Sequence, residues 1–198
     1  MAVERTTMIR KKWLAILGIA LIVASVSGYS LAHFARSRRA SSSAASVPAQ
    51  PRVDRSVPEL RSAVGKPLPE AILVDRAGTQ LSDEQLRHGK VVLVFLSTQC
   101  GPCTKEGEFL RSVMNRRQDV SFYGIVSLGE KDAVLQESEK LFPFKTFFDK
   151  DALLANNFGI ARVPIKVFLE DGVVKQTWGG ASKSEEVQAD FIEWLDRV

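Results

Sequence analysis

An apolar run leads directly into two cysteines in the stretch Lys90-Val91-Val92-Leu93-Val94-Phe95-Leu96-Ser97-Thr98-Gln99-Cys100-Gly101-Pro102-Cys103. A continuous apolar run rich in valine is typical of a strand that is buried on both faces of a sheet. Pro102 favours a helix start directly after this strand, because proline has no N–H to leave unpaired in the first turn and its φ already suits a helix. The stretch therefore predicts a buried strand followed by Cys100 at the N-terminal end of a helix.

This position predicts a reactive thiol at Cys100. The positive end of a helix stabilises the thiolate, which is the attacking species in thiol–disulfide exchange. We therefore interpret Cys100 as the attacking sulfur and Cys103 as its redox partner, and we expect no metal and no cofactor. Half of a zinc site is one alternative, but the chain has only these two cysteines, and His33 and His88 lie far away in the sequence. A static structural disulfide is the other, although a bridge across so short a loop gains little chain entropy.

The overall charge of the chain conceals an uneven distribution. The 198 residues have a net charge of +4, but seven of the 27 basic side chains and one of the 23 acidic ones lie within residues 1–39. Residues 40–198 therefore carry a net charge of −2. This balance does not predict a nucleic-acid partner. The apolar fraction of 45% is that of an ordinary globular protein, and the length fits one domain with appendages.

The N-terminal basic residues flank a segment, residues 13–35, that contains no Asp, Glu, Lys or Arg. As a helix rising about 1.5 Å per residue, it is long enough to cross a hydrocarbon core of about 30 Å. A cleaved secretory signal is the alternative, with Arg10-Lys11-Lys12 as its charged region. The length of the run favours a retained transmembrane anchor in contact with membrane lipid. Four basic residues before the run against three after it favour a cytoplasmic N-terminus.

Composition divides the whole chain into four parts. A basic segment covers residues 1–12 and the anchor covers residues 13–35. Residues 36–64 are small, polar and interrupted by proline, which is typical of a flexible linker. The globular head is predicted over residues 65–198.

Strand and helix patterns alternate along the head. Inner or short strands are predicted near residues 72–74, 79–81, 91–96, 120–127, 145–148, 162–169 and 173–178. Helices are predicted after Ser82, after Cys103, near residues 132–142 and 152–158, and at the C-terminus after the capping-box sequence Ser182-Lys183-Ser184-Glu185. Asp171-Gly172 between two apolar runs indicates a hairpin.

This order, with Cys-Gly-Pro-Cys after an inner strand and Val163-Pro164 opening a later one, resembles the thioredoxin fold. The resemblance implies an α/β fold with a central mixed sheet flanked by helices. The Gly65-Lys66-Pro67 start, the anchor, and the extra strand and helix before Val163 are similar to the membrane-anchored TlpA/ResA-like thiol:disulfide oxidoreductases. The similarity covers about residues 65–198.

The resemblance also implies which residues contact a substrate: Gly101, Pro102, Val163, Pro164 and Gly179. Pro164 would be cis, and the Val163 backbone would bind an extended substrate. The simpler explanations are a proline that starts a strand and a glycine that makes a turn. Glu106 matches a family glutamate three residues after the second cysteine, but we favour an exposed charge on the helix surface, where glutamate is most common.

Three positions depart from the family pattern. Val94 stands where a buried Asp or Asn is usual, Gln99 where an aromatic residue is usual, and Glu108 where a helix-kinking proline is usual. These departures leave the rate, the reduction potential and the choice of partner open.

The function implied by the resemblance is dithiol–disulfide exchange with protein substrates outside the cytoplasm. The head would lie on the periplasmic side of a bacterial-type inner membrane and act as a reductant, for example in cytochrome c or metal-site maturation. A membrane thiol reductase would supply its electrons. Three alternatives stay open: a disulfide-forming oxidase, a peroxiredoxin-like peroxidase, and a non-catalytic docking module. The peroxidase pattern has Thr three residues before its cysteine, where this chain has Ser97.

Overall fold

The computed structural model describes residues 55–197. The predicted basic segment, the predicted anchor at residues 13–35 and most of the predicted linker lie outside this range. Between residues 55 and 197, no helix combines the length and the apolar character that a membrane crossing requires.

Within residues 55–197, six strands form one mixed sheet. They are β1 (Leu73–Val74), β2 (Lys90–Phe95), β3 (Val120–Val126), β4 (Thr146–Asp149), β5 (Ile165–Glu170) and β6 (Val173–Gly179). Their spatial order is β1-β4-β3-β2-β5-β6. Strands β2, β3 and β4 are parallel, whereas β1, β5 and β6 each pair antiparallel with their neighbours. The predicted mixed sheet and thioredoxin-like architecture are confirmed.

Five α-helices accompany the sheet in the described range. They are α1 (Asp83–Arg87), α2 (Gly101–Met114), α3 (Lys131–Leu141), α4 (Leu153–Phe158) and α5 (Glu185–Asp196). Buried side chains of α1 and α4 belong to one apolar cluster, and those of α2, α3 and α5 belong to a second. Helices therefore cover both faces of the sheet.

Strand β2 contributes to both clusters. Alternate side chains of a strand point to opposite faces. Val91, Leu93 and Phe95 accordingly pack into the first cluster. Val92, Val94 and Leu96 pack into the second. The apolar run before the cysteines is thus the doubly buried central strand that its composition predicts.

The hairpin between β5 and β6 turns at Asp171-Gly172, as predicted. Both residues have positive φ, 49° and 75° respectively, which is the conformation of the tightest hairpin turns. A side chain at residue 172 would also meet the Arg87 backbone and side chain at about 3.0–3.1 Å. Glycine is required there for space as well as for conformation.

Two local predictions differ from the structure. Residues 79–81 do not form a full strand; they contribute a single bridge between Val74 and Gln80. The last helix is capped by Ser184, whose side chain accepts a hydrogen bond from the Val187 N–H. Ser182, which the capping-box spacing indicated, is instead engaged by a buried glutamate.

The globular head begins before Gly65. Val57 and Leu60 are 1% and 0% exposed and belong to the first apolar cluster. The Val57 N–H donates to Thr177 Oγ1 at 3.0 Å, which fastens this segment to β6. A boundary at residue 64 therefore assigned part of the domain to the linker. Two apolar residues among polar ones and prolines are too few to show a periodic pattern.

The packing of Leu60 predicts that residues 55–64 stabilise the head. Leu60→Ala should lower the free energy of unfolding by about 2–5 kcal/mol, since it removes a fully buried side chain and leaves a cavity. Val64→Ala, in the same segment but 44% exposed, should change it by less than about 0.5 kcal/mol. Urea denaturation of the full-length chain measures both. Equal effects would show that the segment does not pack against the core.

Candidate active site

Cys100 lies at the transition from β2 to α2. It is the N-cap residue of α2, and its Sγ atom accepts a hydrogen bond from the Cys103 N–H at 3.2 Å. Pro102 occupies the first turn of the helix, where its missing N–H leaves nothing unpaired. The predicted strand-to-helix junction is confirmed.

The two cysteines differ in access to solvent. Cys100 is half-buried, whereas Cys103 is 0% exposed and packs in the second apolar cluster. They are joined in a disulfide. Of the two residues, only Cys100 is therefore in contact with solvent.

Val163 and Pro164 face the disulfide. The peptide bond between them is cis, as the resemblance implies, and the Val163 carbonyl oxygen lies 3.9 Å from Cys100 Sγ. Strands β2 and β5 are antiparallel neighbours with Phe95 opposite Ile165. This pairing fixes the start of β5 beside the end of β2 and so brings the proline loop to the cysteines.

Gly179 lies beside this loop at the end of β6, opposite Ile165. Its N–H donates to the Arg55 carbonyl at 2.8 Å. Gly179 lines a cavity of about 320 Å³ together with six other residues: Arg55, Ser56, Arg162, Val163, Pro164 and Gly180. The structure thus brings Val163, Pro164 and Gly179 together. Their contact with a substrate remains a prediction, as does that of the exposed Gly101 and Pro102.

Glu106 is not on the helix surface, so the favoured interpretation of that residue was wrong. It is 1% exposed and forms an ion pair with Lys166, with 2.6 Å between Lys166 Nζ and Glu106 Oε1. Glu106 also accepts hydrogen bonds from the N–H of Ser182 at 2.5 Å and from its hydroxyl at 3.2 Å. Partners from β5 and from the loop after β6 therefore satisfy a carboxylate that the helix alone would expose.

Lys166 is the functional-site neighbour that sequence reasoning missed. Its side chain is fully buried and also donates to the Gly180 carbonyl at 2.7 Å. Burial lowers its pKa from 10.5 to about 8, while the charge of Glu106 and the hydrogen bond to it oppose that shift. The available signal was a charged residue inside an otherwise apolar inner strand, where a lysine is almost never buried unless it is paired.

The three residues that depart from the family pattern differ in their surroundings. Val94 is 0% exposed and lies directly opposite Lys166 in the β2–β5 ladder. Gln99 and Glu108 are exposed. Only the change at Val94 therefore alters the buried surroundings of the cysteines.

The described part of the chain contains no group of three or more His, Cys, Asp or Glu residues that could hold a metal ion. His88 is exposed, and His33 lies outside the described residues.

The buried pair predicts strongly non-additive mutations. Lys166→Met removes the hydrogen bonds that Lys166 donates to Glu106 and Gly180 as well as the counter-charge, and Glu106→Gln removes the carboxylate that pairs with Lys166. Each single variant should therefore lower the free energy of unfolding by about 3–5 kcal/mol at pH 7. The double variant should lose much less, because both charges are removed together. Chemical denaturation of the wild type, the two single variants and the double variant, each with the disulfide intact, gives the free energies of this double-mutant cycle. The exposed pair of Lys140 and Glu137, at 3.0 Å, is the matched control and should couple by less than about 1 kcal/mol; strictly additive losses at the buried pair would contradict the prediction.

The pH dependence of stability gives a second test of the buried ion pair between Lys166 and Glu106. Between pH 8 and 10.5 the unfolded chain holds the Lys166 proton and the folded chain has lost it. Stability therefore rises with pH over this window, and the penalty for the protonated lysine is fully present once the pH has fallen below about 8. The wild type should gain about 3 kcal/mol over the double variant across the window. A constant difference would show that the folded protein keeps this proton.

Known proteins share this fold. Comparison with curated protein sequences gives no significant match. DsbF of Mycobacterium tuberculosis is 22% identical, with a TM-score of 0.53 over 64% of this chain and 95% of that one. A secreted disulfide oxidoreductase of Mycobacterium tuberculosis, homologous to Escherichia coli DsbE, is 21% identical, with a TM-score of 0.54 over 64% and 95%. A thiol:disulfide interchange protein from Bacteroides sp. is 16% identical, with a TM-score of 0.55 over 68% and 91%.

A match to a family model shows which family the chain belongs to. The model of the AhpC/TSA family matches residues 64–178, more than half of the chain. The matched range contains both cysteines and the cis proline. The chain therefore belongs to the AhpC/TSA family and has a thioredoxin-like fold.

Proposed function

We propose that this protein exchanges its dithiol or disulfide with those of other proteins. One observation carries the proposal: the half-exposed Cys100 is bonded to the fully buried Cys103 at the start of α2, and the cis proline loop lies directly beside it. One sulfur is therefore accessible to a partner, and the other is protected until the first has reacted.

The reaction begins with both cysteines reduced. The Cys100 thiolate attacks a disulfide of the client; a Cys100–client bond forms, the client disulfide breaks, and the leaving sulfur takes up a proton. Cys103 then loses its proton and attacks Cys100 Sγ. The intramolecular disulfide forms, the mixed disulfide breaks, and the client leaves fully reduced. Two electrons have passed from the protein to the client.

The start of α2 supports the first step. The Cys103 N–H already points at Cys100 Sγ, and backbone N–H groups at a helix start stabilise a thiolate. Val163, whose carbonyl is 3.9 Å from the same sulfur, offers backbone groups to an extended client segment. Backbone hydrogen bonds beside the reacting sulfur would hold a client segment without requiring one particular sequence.

The setting of the reaction is a further part of the proposal. The charge-free run at residues 13–35 supports a membrane anchor, with the head outside the cytoplasm and a membrane thiol reductase as electron donor. In an oxidising compartment, a tethered dithiol that is re-reduced in this way acts as a reductant of client proteins.

Cys103→Ala should trap clients on Cys100. The variant can complete the attack but cannot resolve it, so mixed disulfides should accumulate with a disulfide protein such as insulin. Non-reducing gels of the reduced full-length chain detect these adducts. Wild type should show few adducts and reduce the client, and Cys100→Ala should show neither adducts nor reduction.

Other outcomes of the same experiment would favour other functions. Adducts that persist in Cys100→Ala would contradict the assigned attacking sulfur. Peroxide consumption that survives Cys103→Ala would favour a peroxidase. A disulfide that dithiol reagents fail to reduce would favour a docking module without redox activity.

The reduction potential separates a reductant from an oxidase. For a reductant we expect a value nearer the about −270 mV of thioredoxin than the about −120 mV of DsbA. Equilibration of the full-length chain with dithiol buffers of known potential, followed by alkylation and mass measurement, gives the value. A potential near the DsbA end would overturn the reductant role and leave thiol–disulfide exchange itself intact.

A further inference from the structure

Two cavities of different chemistry meet at the proline loop. The first, of about 320 Å³, is lined by residues of the loop, of the end of β6 and of the segment at residues 55–56. The second, of about 190 Å³, is lined by residues from the ends of β2 and β3 and from α4 and the loop after it. Arg162 and Val163 line both. Since β5 lies between β2 and β6 in the sheet, the two cavities lie on opposite sides of Val163.

The first cavity is basic. Arg55 and Arg162 line it, and none of its lining residues in the described part of the chain carries a carboxylate. Arg162 is exposed, and within residues 55–197 its ion pair is a 3.7 Å contact with the exposed Glu59. Such a pair contributes little and is easily exchanged. Arg55 Nε is buried and has no hydrogen-bond acceptor among residues 55–197. The Arg55 guanidinium lies over the Trp178 ring, 5.7 Å from its centroid, and its positive charge would attract a carboxylate that enters the cavity.

The second cavity is mainly apolar. Phe95, Leu96, Ile125, Leu128 and Ile160 line it. Leu128 lies at the surface and is 77% exposed, more than any other large apolar residue of the described range. An apolar side chain of a client would gain from covering this leucine, because contact removes apolar surface from water.

We propose that the site selects client segments in which the reacting cysteine lies between a carboxylate on one side and an apolar side chain on the other. The carboxylate enters the cavity of Arg55 and Arg162, and the apolar side chain enters the cavity of Leu128. The reason is geometric: Cys100 Sγ is 3.9 Å from the Val163 carbonyl, so a segment bonded to Cys100 along Val163 passes over both cavities. This inference rests on the proposed thiol–disulfide exchange and specifies its substrate.

Synthetic peptides test the proposal with composition held constant. Each peptide has one central cysteine joined as a disulfide to thionitrobenzoate. The Cys100 thiolate of the reduced full-length Cys103→Ala chain attacks the peptide sulfur; the peptide–protein disulfide forms, and thionitrobenzoate, the better leaving group, departs as a thiolate. Two peptides carry Glu and Leu in opposite orders around the cysteine. Two more replace Glu by Gln or Leu by Ser.

One order of Glu and Leu should react about threefold to tenfold faster than the reverse, because only one order places both side chains in their cavities. The faster peptide should lose this advantage when Glu becomes Gln, and part of it at high salt, where exposed charges are screened. Changing Leu to Ser should also slow it. The order that reacts faster gives the direction in which the client runs.

Variants of the chain assign each preference to its cavity. Arg55→Gln and Arg162→Gln should each reduce the advantage of Glu over Gln, and Arg116→Gln, at the far end of α2, should not. Glu59→Gln should increase the advantage of Glu over Gln, since it removes the carboxylate that contacts Arg162. An increase cannot be explained by a variant that has merely lost its fold or its activity. Leu128→Ser should reduce the advantage of Leu over Ser, and Ile72→Ser, at an exposed site in the same fold, should not.

The results separate the two proposals. Equal rates for both orders, with rapid release from all peptides, would overturn the inference and leave thiol–disulfide exchange standing. An advantage of Glu that persists in both arginine variants would also overturn it. Release no faster than from a free cysteine, for every peptide, would overturn the proposed exchange itself.

Discussion

The site depends on the burial of strand β2 between β3 and β5. Because both faces of β2 are covered by apolar clusters, a shift of one residue in its register would move every side chain to the wrong face. That constraint fixes Phe95 opposite Ile165. The residues that follow Phe95 and those that precede Ile165 then meet at one edge of the sheet. Cys100 and the cis proline loop are neighbours for this reason, although Cys100 and Val163 are 63 positions apart in the chain.

The buried ion pair between Glu106 and Lys166 also connects the helix that carries the cysteines with strand β5. Glu106 belongs to the helix that carries the cysteines, and Lys166 belongs to the strand that follows the cis proline. Their bonds to Gly180 and Ser182 include the loop that follows β6. A buried pair is weak evidence for net stability, since desolvation offsets much of its attraction. Its clearer effect is to favour one arrangement of helix, strand and loop, because any other leaves a buried charge unpaired.

Sequence reasoning succeeded where a local pattern carries the information. The apolar run at residues 91–96, the Cys-Gly-Pro-Cys spacing and the Asp171-Gly172 turn each predict their own local structure, and together they predicted the fold and the position of both cysteines. The burial of Glu106 was not predictable in this way, because its partner is 60 residues away in the chain. Val57 and Leu60 were missed for a related reason: a short segment that packs through two side chains shows no period.

Lys166 also accounts for the departure at Val94. Directly opposite residues of an antiparallel pair share one face of the sheet, so the stem of Lys166 passes beside Val94. A carboxylate at residue 94 would place a second acid next to a lysine that Glu106 already neutralises, and one of the two acids would be buried without a counter-charge. An apolar side chain avoids this conflict. An apolar residue at position 94 therefore suits its surroundings, because the buried charges beside it come from the neighbouring strand and the helix rather than from β2.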